Sequence, residues 1–286
     1  MDQLESLRSC VAAADAGSLS AAARELAVPL PTLSRKVAEL EAHLGTPLFV
    51  RTSRRLAITE AGQVYVAAAR RVLEQLADAD RTARGELTEP RGELAIAAPL
   101  VFGRLHVLPI VNELLHANPQ ITARLVLSDR LASFAEDHLD VAVRIGELAD
   151  SALVAQRVGT VRRVVCASPA YLAAHGRPRQ PADLARHACI SFNDDRDWVF
   201  PTARIAIRPR LAVTTAEAAV DAALAGIGIA RLLSYQIRDR PLERLLARHE
   251  PAPVPVHLVR TGAVVPRKLR AFLDLAQVRL KTILAR

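Results

Sequence analysis

The chain has 286 residues, 51% hydrophobic and 24% charged, which leaves room for two or three domains and excludes a largely disordered polymer. The net charge of +8 is unevenly divided: residues 1–90 hold 11 Lys and Arg against 12 Asp and Glu, and residues 91–286 hold 27 against 18. Nucleic-acid binding must therefore be argued from where charge is placed, not from its total.

The first sixty residues read as short helices. Asp2 with Glu5 is a capping signal, Leu4, Leu7, Val11 and Ala14 repeat at helical spacing, and Gly17 ends the run. Ser18 and Ser20 suit the start of a second helix through Ala21–Leu26, which Val28-Pro29-Leu30 interrupts. Pro31 suits the first position of a third helix that Gly45 stops. Helix, short turn, helix is the geometry that lays a second helix in the DNA major groove. In the third helix Leu33, Val37, Leu40 and Leu44 form an apolar stripe. Pro31, Arg35, Ala38, Glu39 and Ala42 lie opposite, with Thr32, Ser34 and Lys36 on the flanks. Arg35 can reach guanine acceptors bidentately, and Thr32 or Ser34 can bond bases or phosphates. The same pattern also fits an ordinary amphipathic helix with a solvated face.

Arg51, Arg54 and Arg55 precede a short alternating strand and look like a wing lying along phosphates. Residues 24–71 hold 8 basic and 4 acidic side chains, so the charge is locally positive where such a surface would lie. A helical stretch then runs from about Thr59 to Glu86. Its Tyr65, Ala69, Val72, Leu76, Ala79 and Ala83 form a heptad seam, which predicts a partner helix from a second copy or packing on its own domain. Residues 85–92, with Pro90, read as a linker.

From Glu93 onward strands and helices alternate, which predicts a mainly parallel sheet covered by helices. Strands are expected over 93–98, 121–127, 140–145, 162–167, 188–192, 210–214 and 254–260. Helices are expected over 105–117, 131–138, 170–175, 217–225 and 267–284. The region is long enough for two subdomains with a crevice between them. Cys10, Cys166 and Cys189 are widely spaced without a C-x-x-C pair, which points to buried, inert thiols rather than a metal site.

Leu7 through Ala14, Gly17-Ser18-Leu19-Ser20-Ala21-Ala22-Ala23, Leu33-Ser34-Arg35, Leu40-Glu41, Leu44-Gly45, Leu48-Phe49, Arg51-Thr52 and Thr59-Glu60-Ala61-Gly62 together resemble the DNA-binding domain of LysR-type transcriptional regulators. Ala98-Pro99 with Phe102-Gly103, Asp140 to Gly146, Val165 to Leu172 and Gly226-Ile227-Gly228-Ile229-Ala230 resemble the effector domain of that family. The resemblance implies an α+β multidomain chain. A winged helix-turn-helix occupies 1–58, a linker helix and linker 59–90, and an α/β effector domain 91–286 whose two subdomains are similar to periplasmic solute-binding proteins. Subdomain I would comprise about 91–161 and 266–286, and subdomain II about 162–265, with hinges at Val161-Arg162-Arg163 and Thr261–Val265. It also implies a bacterial regulator that binds double-stranded promoter DNA and a small-molecule effector and dimerises through its linker helices. Tetramers are common in the family, and RNA polymerase is a candidate partner. By resemblance the DNA-contacting positions are Pro31, Thr32, Ser34, Arg35 and the wing residues Arg51, Arg54 and Arg55, with Ser20 and Lys36 beside them. The sequence departs from the family at Pro29 and Leu30, where Ser or Thr and then Pro or Gln are usual. This removes a side-chain cap and a polar contact and puts the usual target sequence in doubt.

In open α/β sheets ligands sit beyond the carboxyl ends of the strands. That selects Pro99, Leu100, Val101 and Phe102, then Ser128, then Arg144, Ile145 and Gly146, and from the second subdomain Ser168 and Thr215. The apolar stretch after the first strand suits a partly apolar effector, with Arg144 available to a carboxylate or to a neighbouring acid. An enzyme is the competing reading, but G-x-x-x-x-G-K-[ST], H-E-x-x-H and G-x-S-x-G are all absent. Neither a cofactor nor a metal is expected. No apolar run approaches the roughly 18 residues of a membrane helix, and Met1-Asp2-Gln3-Leu4-Glu5 lacks a signal-peptide core. A cytoplasmic protein without a membrane partner is expected, and a secreted solute-binding protein is disfavoured.

Overall fold

The computed structural model describes all residues except 1, 52–55, 84–88, 131–132, 135–136, 150–151, 263–264 and 286, and the side chains of 51, 78 and 81–83. They divide into two units, Met1–Glu89 and Pro90–Arg286.

In the first unit α1 (Gln3–Ala16) is capped by Asp2, whose side chain accepts from the Glu5 N–H at 3.3 Å, and ends at Gly17 with φ 57°. Helix α2 (Leu19–Glu25) starts at the first of the two expected caps. Ser18 is its N-cap, accepting from the Ala21 N–H, and Ser20 lies inside the helix with its hydroxyl 2.9 Å from that of Ser18. Helix α3 (Leu30–Leu44) starts at Pro29 without a side-chain cap; the Pro29 carbonyl accepts from the N–H groups of Thr32 and Leu33. Leu33, Val37 and Leu40 are buried with Cys10, Ala13, Ala22, Leu48 and Val66, whereas Leu44, the last member of the expected stripe, is exposed.

Strands β1 (Phe49–Arg51) and β2 (Leu56–Ile58) pair antiparallel, Phe49 opposite Ile58. One carboxylate oxygen of Glu41 accepts from the N–H groups of both Leu48 and Phe49, at 2.7 and 2.9 Å, and so ties the entry of β1 to α3. Such charge-assisted bonds are among the stronger polar contacts in a fold. Helix α4 (Glu60–Ala83) follows Thr59, whose hydroxyl oxygen accepts from the Gly62 N–H at 2.9 Å while Thr59 donates its own N–H to the Leu48 carbonyl at 2.9 Å. Along the expected seam Ala69 is buried and Tyr65 packs against the first unit's core, so this half lies on its own domain. Further along, Val72 is exposed.

The second unit runs β3 (Gly92–Ala98), α5 (Leu100–Phe102), a π-helical turn (Gly103–Val107), α6 (Leu108–Ala117), β4 (Ile121–Leu127), β5 (Val141–Ile145) and β6 (Val154–Val161). It continues through β7 (Arg163–Ala167), α7 (Pro169–His175), β8 (Cys189–Phe192), β9 (Asp197–Phe200), β10 (Ala203–Ala206), β11 (Pro209–Val213) and α8 (Ala216–Leu224). It ends with β12 (Ile229–Leu233), β13 (Glu243–Leu245), β14 (Val254–Arg260) and α9 (Arg267–Leu284).

These strands form two five-stranded sheets, ordered β4-β3-β5-β14-β6 and β11-β8-β12-β7-β13, plus the β9–β10 hairpin. Both sheets are mixed rather than parallel: β14 runs against β5 and β6, and β7 runs against β12 and β13. Phe102, Ile96, Phe272 and Leu280 are fully buried in the core.

Two expectations are corrected. The chain crosses between sheets at Arg162, as expected, but it returns between Leu245 and Val254, not at 261–265. Strand β14 pairs with β5 and β6 and therefore belongs to the first sheet. The helix expected over 131–138 is absent among its described residues; Asp137 instead folds back, its carboxylate accepting from the Ser133 N–H at 2.8 Å.

All three cysteines are buried, and burial pushes each thiol up to about 12. At neutral pH the reactive thiolate is then scarce. Iodoacetamide is expected to leave the native protein unlabelled and to label three sites once denaturant is added; labelling of the native chain at rates typical of exposed thiols would show the burial to be wrong.

Candidate nucleic-acid interface and ligand crevice

The α3 face opposite the core carries Pro31 and Arg35, both exposed, with Thr32 and Ser34 half-buried beside them. This division follows from the helix itself: Leu33, Val37 and Leu40 point inward, and at 100° per residue Arg35 and Ala38 must point outward. Arg35 lies 3.8 Å from Glu39 one turn on, an exposed pair that holds it loosely. Small Ala38 leaves the face open to close approach. Lys36 is placed otherwise: its ammonium bonds the Glu5 carboxylate of α1, which turns it toward the helix packing and neutralises it. The exposed side of α2 and its turn, with Ser20, Arg24, Val28, Pro29 and Leu30, encloses a shallow open hollow. Leu30 is 45% exposed there, an apolar group at the tip of α3. Arg54, Arg55 and the Arg51 side chain lie outside the described residues.

A cavity of about 220 Å³ lies between the two sheets of the second unit. The first sheet contributes Ala97 and Ala98 at the end of β3 and Pro99 after it, Ser128 and Asp129 after β4, and Arg144 and Ile145 on β5. The second contributes Arg163, Phe192, Asn193, Leu233, Tyr235 and Gln236. Of the residues expected at an effector site, Pro99, Ser128, Arg144 and Ile145 are thus brought together.

The remaining expected residues do not line this cavity. Val101 and Phe102 turn into the core, with Phe102 edge-on to Tyr235 at 5.2 Å between ring centres. Leu100 donates its N–H to Asp129 at 3.1 Å, and Gly146 lies beyond the β5 wall with φ 127°. Ser168 is buried and caps α7, accepting from the Tyr171 N–H, and Thr215 caps α8, accepting from the Ala218 N–H.

The physical reason for Ser168 is strand direction. Because β7 is antiparallel to β12, with Arg163 opposite Leu233, the start of β7 faces the crevice and its end faces away. Arg163 therefore occupies the position that the carboxyl-end rule gives to Ser168. Leu233 and Tyr235 were missed because the β12 strand was not foreseen; Gly226-Ile227-Gly228 before an apolar run was the available signal.

Electrostatically the cavity is dominated by cations. Among the described residues Arg130, Arg144 and Arg163 line it, with Asp129 as the carboxylate. Burial raises Asp129 above the usual carboxylate range, although the Leu100 N–H partly offsets this. The Arg144 guanidinium sits 5.6 Å from the centre of the Phe134 ring, a cation–π contact that helps to fix its direction. The walls, by contrast, are apolar: Ala97, Ala142, Val143, Ile145, Phe192 and Leu233. Among the described residues no cluster of His, Cys, Asp and Glu is arranged to hold a metal ion. No described helix is long and apolar enough to cross a membrane.

Comparison with known proteins accounts for both regions. Residues 4–63 match the family model for bacterial regulatory helix-turn-helix proteins of the lysR family, and residues 87–281 match the LysR substrate binding domain. The transcriptional regulator CrgA of Neisseria meningitidis is 34% identical over 285 residues, covering 94% of each chain. A regulator of Xanthomonas campestris is 32% identical over 283 residues, covering 92% of this chain and 81% of the relative. The solved structure of CrgA superposes with a TM-score of 0.62 at 31% identity, covering 96% of this chain and 98% of that one. Full-length AphB of Vibrio cholerae shares the fold, with a TM-score of 0.59 at 24% identity and coverage of 96% and 98%. Motif, fold and relatives agree over both units: the chain belongs to the LysR family of bacterial transcriptional regulators, DNA-binding proteins with an effector-binding domain and not enzymes.

Proposed function

We propose that α3 reads promoter DNA through Arg35, with Pro31, Thr32 and Ser34 making the close approach and Arg51, Arg54 and Arg55 holding phosphates. The observation that supports this reading is the division of α3 into a buried Leu33–Val37–Leu40 face and an outward face bearing Arg35. Lys36 and Ser20 are assigned lesser parts, since each is engaged within its own unit.

In this reading the crevice takes a small, partly apolar anion: Arg144 and Arg163 meet its charged group, and Pro99, Ile145 and Phe192 meet its body. The effector then shifts the relation of the two subdomains and thereby promoter binding or activation. Dimers form through α4, whose exposed Val64 and Val72 favour cover by a second copy, and tetramers and contact with RNA polymerase follow the family pattern. The protein works in the cytoplasm, where the promoter is.

The test is binding to a duplex carrying the gene's own upstream region, measured over a range of salt. Log affinity is expected to fall linearly with log salt. Arg35→Ala is expected to cost about 1–3 kcal/mol and to change sequence preference, whereas replacing Arg51, Arg54 and Arg55 should weaken binding on every sequence alike. Equal weakness on promoter and unrelated DNA would count against the whole reading. An Arg35→Ala variant with unaltered preference would remove only the base-reading role.

A further inference from the structure

A second cavity of about 530 Å³ opens in the effector unit at the crossing between its two sheets. Its wall takes His106 from the π-helical turn, Arg162 at the crossing itself, Tyr235 and Arg238 after β12, Arg244 on β13 and Leu284 at the end of α9. Among the described residues three guanidinium groups line it, and no Asp or Glu does.

The three cations differ in their engagements. Arg244 is held by the Glu250 carboxylate through two bonds. Arg162 and Arg238 are exposed and form no ion pair among the described residues. Only the backbone of Arg162 is fixed: its N–H donates to the Ser234 hydroxyl at 3.3 Å, and its carbonyl accepts from the Ser234 N–H at 2.8 Å. A rigid backbone anchor under an uncommitted guanidinium is a suitable base for an anion contact.

The floor is also unsatisfied. His106 Nε2 is buried without a hydrogen-bond partner among the described residues. Its ring is held edge-on by Phe102 at 4.9 Å and by Tyr235 at 5.7 Å between ring centres. Burial, and after it the nearby Arg238 charge, hold the imidazole below its usual range, which favours the neutral ring, whose single N–H can sit on Nε2. Buried polar atoms are normally paired, and an oxyanion would pair this one.

We propose that this cavity is a second anion site of the regulator, taking a small dianion such as a phosphate ester or a dicarboxylate between Arg162 and Arg238, with His106 Nε2 donating from beneath. Planar guanidinium forks match both kinds of oxyanion. The site is separate from the crevice but shares a wall with it, since Tyr235 lines both cavities. An anion bound at the crossing touches residues of both sheets and so favours one subdomain arrangement. By linkage, whatever it does to crevice affinity the crevice ligand does to it.

The test uses full-length protein at constant ionic strength, with inorganic phosphate and succinate as probes in calorimetric titration. Saturable binding of at least one probe, weakened about tenfold or more by Arg238→Gln and by Arg162→Gln and unchanged by Arg144→Gln in the crevice, is the expected result. His106→Phe should keep the ring packing and weaken binding through loss of the donor alone. Phosphate binding without succinate binding would assign the site to phosphate esters, and the reverse to dicarboxylates. Three results would overturn the proposal: no saturable binding of either probe at millimolar concentration, binding retained in both arginine variants, or binding abolished by Arg144→Gln instead. Arg162 and Arg238 are exposed, so their variants are expected to fold, and an unchanged Trp198 fluorescence transition checks this.

Discussion

Phe102→Ala is expected to destabilise the effector unit by about 3–5 kcal/mol, the range for removing a large aromatic side chain from a packed core. Phe102 has no exposed surface and packs among Ile96, Val107 and Phe272 while meeting His106 and Tyr235 edge-on. Truncation leaves a void beneath the point where the two cavities meet. The chain has one tryptophan, Trp198, buried in the second sheet's core, so its fluorescence reports this unit alone. The expected observation is a large fall in the denaturant midpoint of the Trp198 signal. Had Phe102 been an effector contact, as its place after β3 suggests, the midpoint would hardly move and only ligand affinity would fall. That outcome would return it to the crevice.

In the DNA-binding unit Gly62→Ala is expected to have an effect of about 3 kcal/mol, near the upper end for overpacking a tight site. A Cβ at position 62 would lie 2.1 Å from the Leu48 carbonyl oxygen and 2.8 Å from Ile58 Cγ1. The first obstacle is backbone, and Leu48 cannot retreat because the Thr59 N–H bonds the same carbonyl and Glu41 holds the Leu48 N–H. Relief therefore requires α4 to move from the β1 entry. Promoter affinity should fall with it, while the Trp198 midpoint stays in place, which separates this defect from global unfolding. Promoter binding equal to that of the unsubstituted protein, with an unchanged helical transition, would show that α4 accommodates the methyl.

The Thr59-Glu60-Ala61-Gly62 string thus has a mechanical meaning. Thr59 supplies the cap that α4 needs, and Gly62 permits its first turn to lie against a carbonyl. The Leu40-Glu41 pair is similar: Leu40 fills the core and Glu41 satisfies two N–H groups of the following strand. In both cases the sequence signal is local, and so is the structure it specifies. The same holds for the Asp2 and Ser18 caps, for the stops at Gly17 and Gly45, and for α9, which spans the expected 267–284.

Other features were not legible. The short strands β9, β10 and β13 carry three or four residues each, too few for a periodic pattern. Lys36 occupies a helical flank that its own helix leaves undecided; the Glu5 carboxylate of another helix draws it inward. Val101 and Phe102 follow a strand end as a binding loop would, but α5 begins at Leu100 and turns both into the core.

Periodicity and capping along the chain were enough to establish the helices of the DNA-binding unit, the outward face of α3 and the alternation of strands and helices after residue 92, because each depends on residues within a turn or two of one another. Strand direction and pairing decided the rest. With β7 antiparallel to β12 the crevice receives Arg163 in place of Ser168, and with β14 paired to β5 the second crossing moves to residues 246–253. Those pairings join segments far apart in sequence through backbone hydrogen bonds, which every residue except proline can form alike, so side-chain pattern along one strand carries little record of its neighbour or its direction.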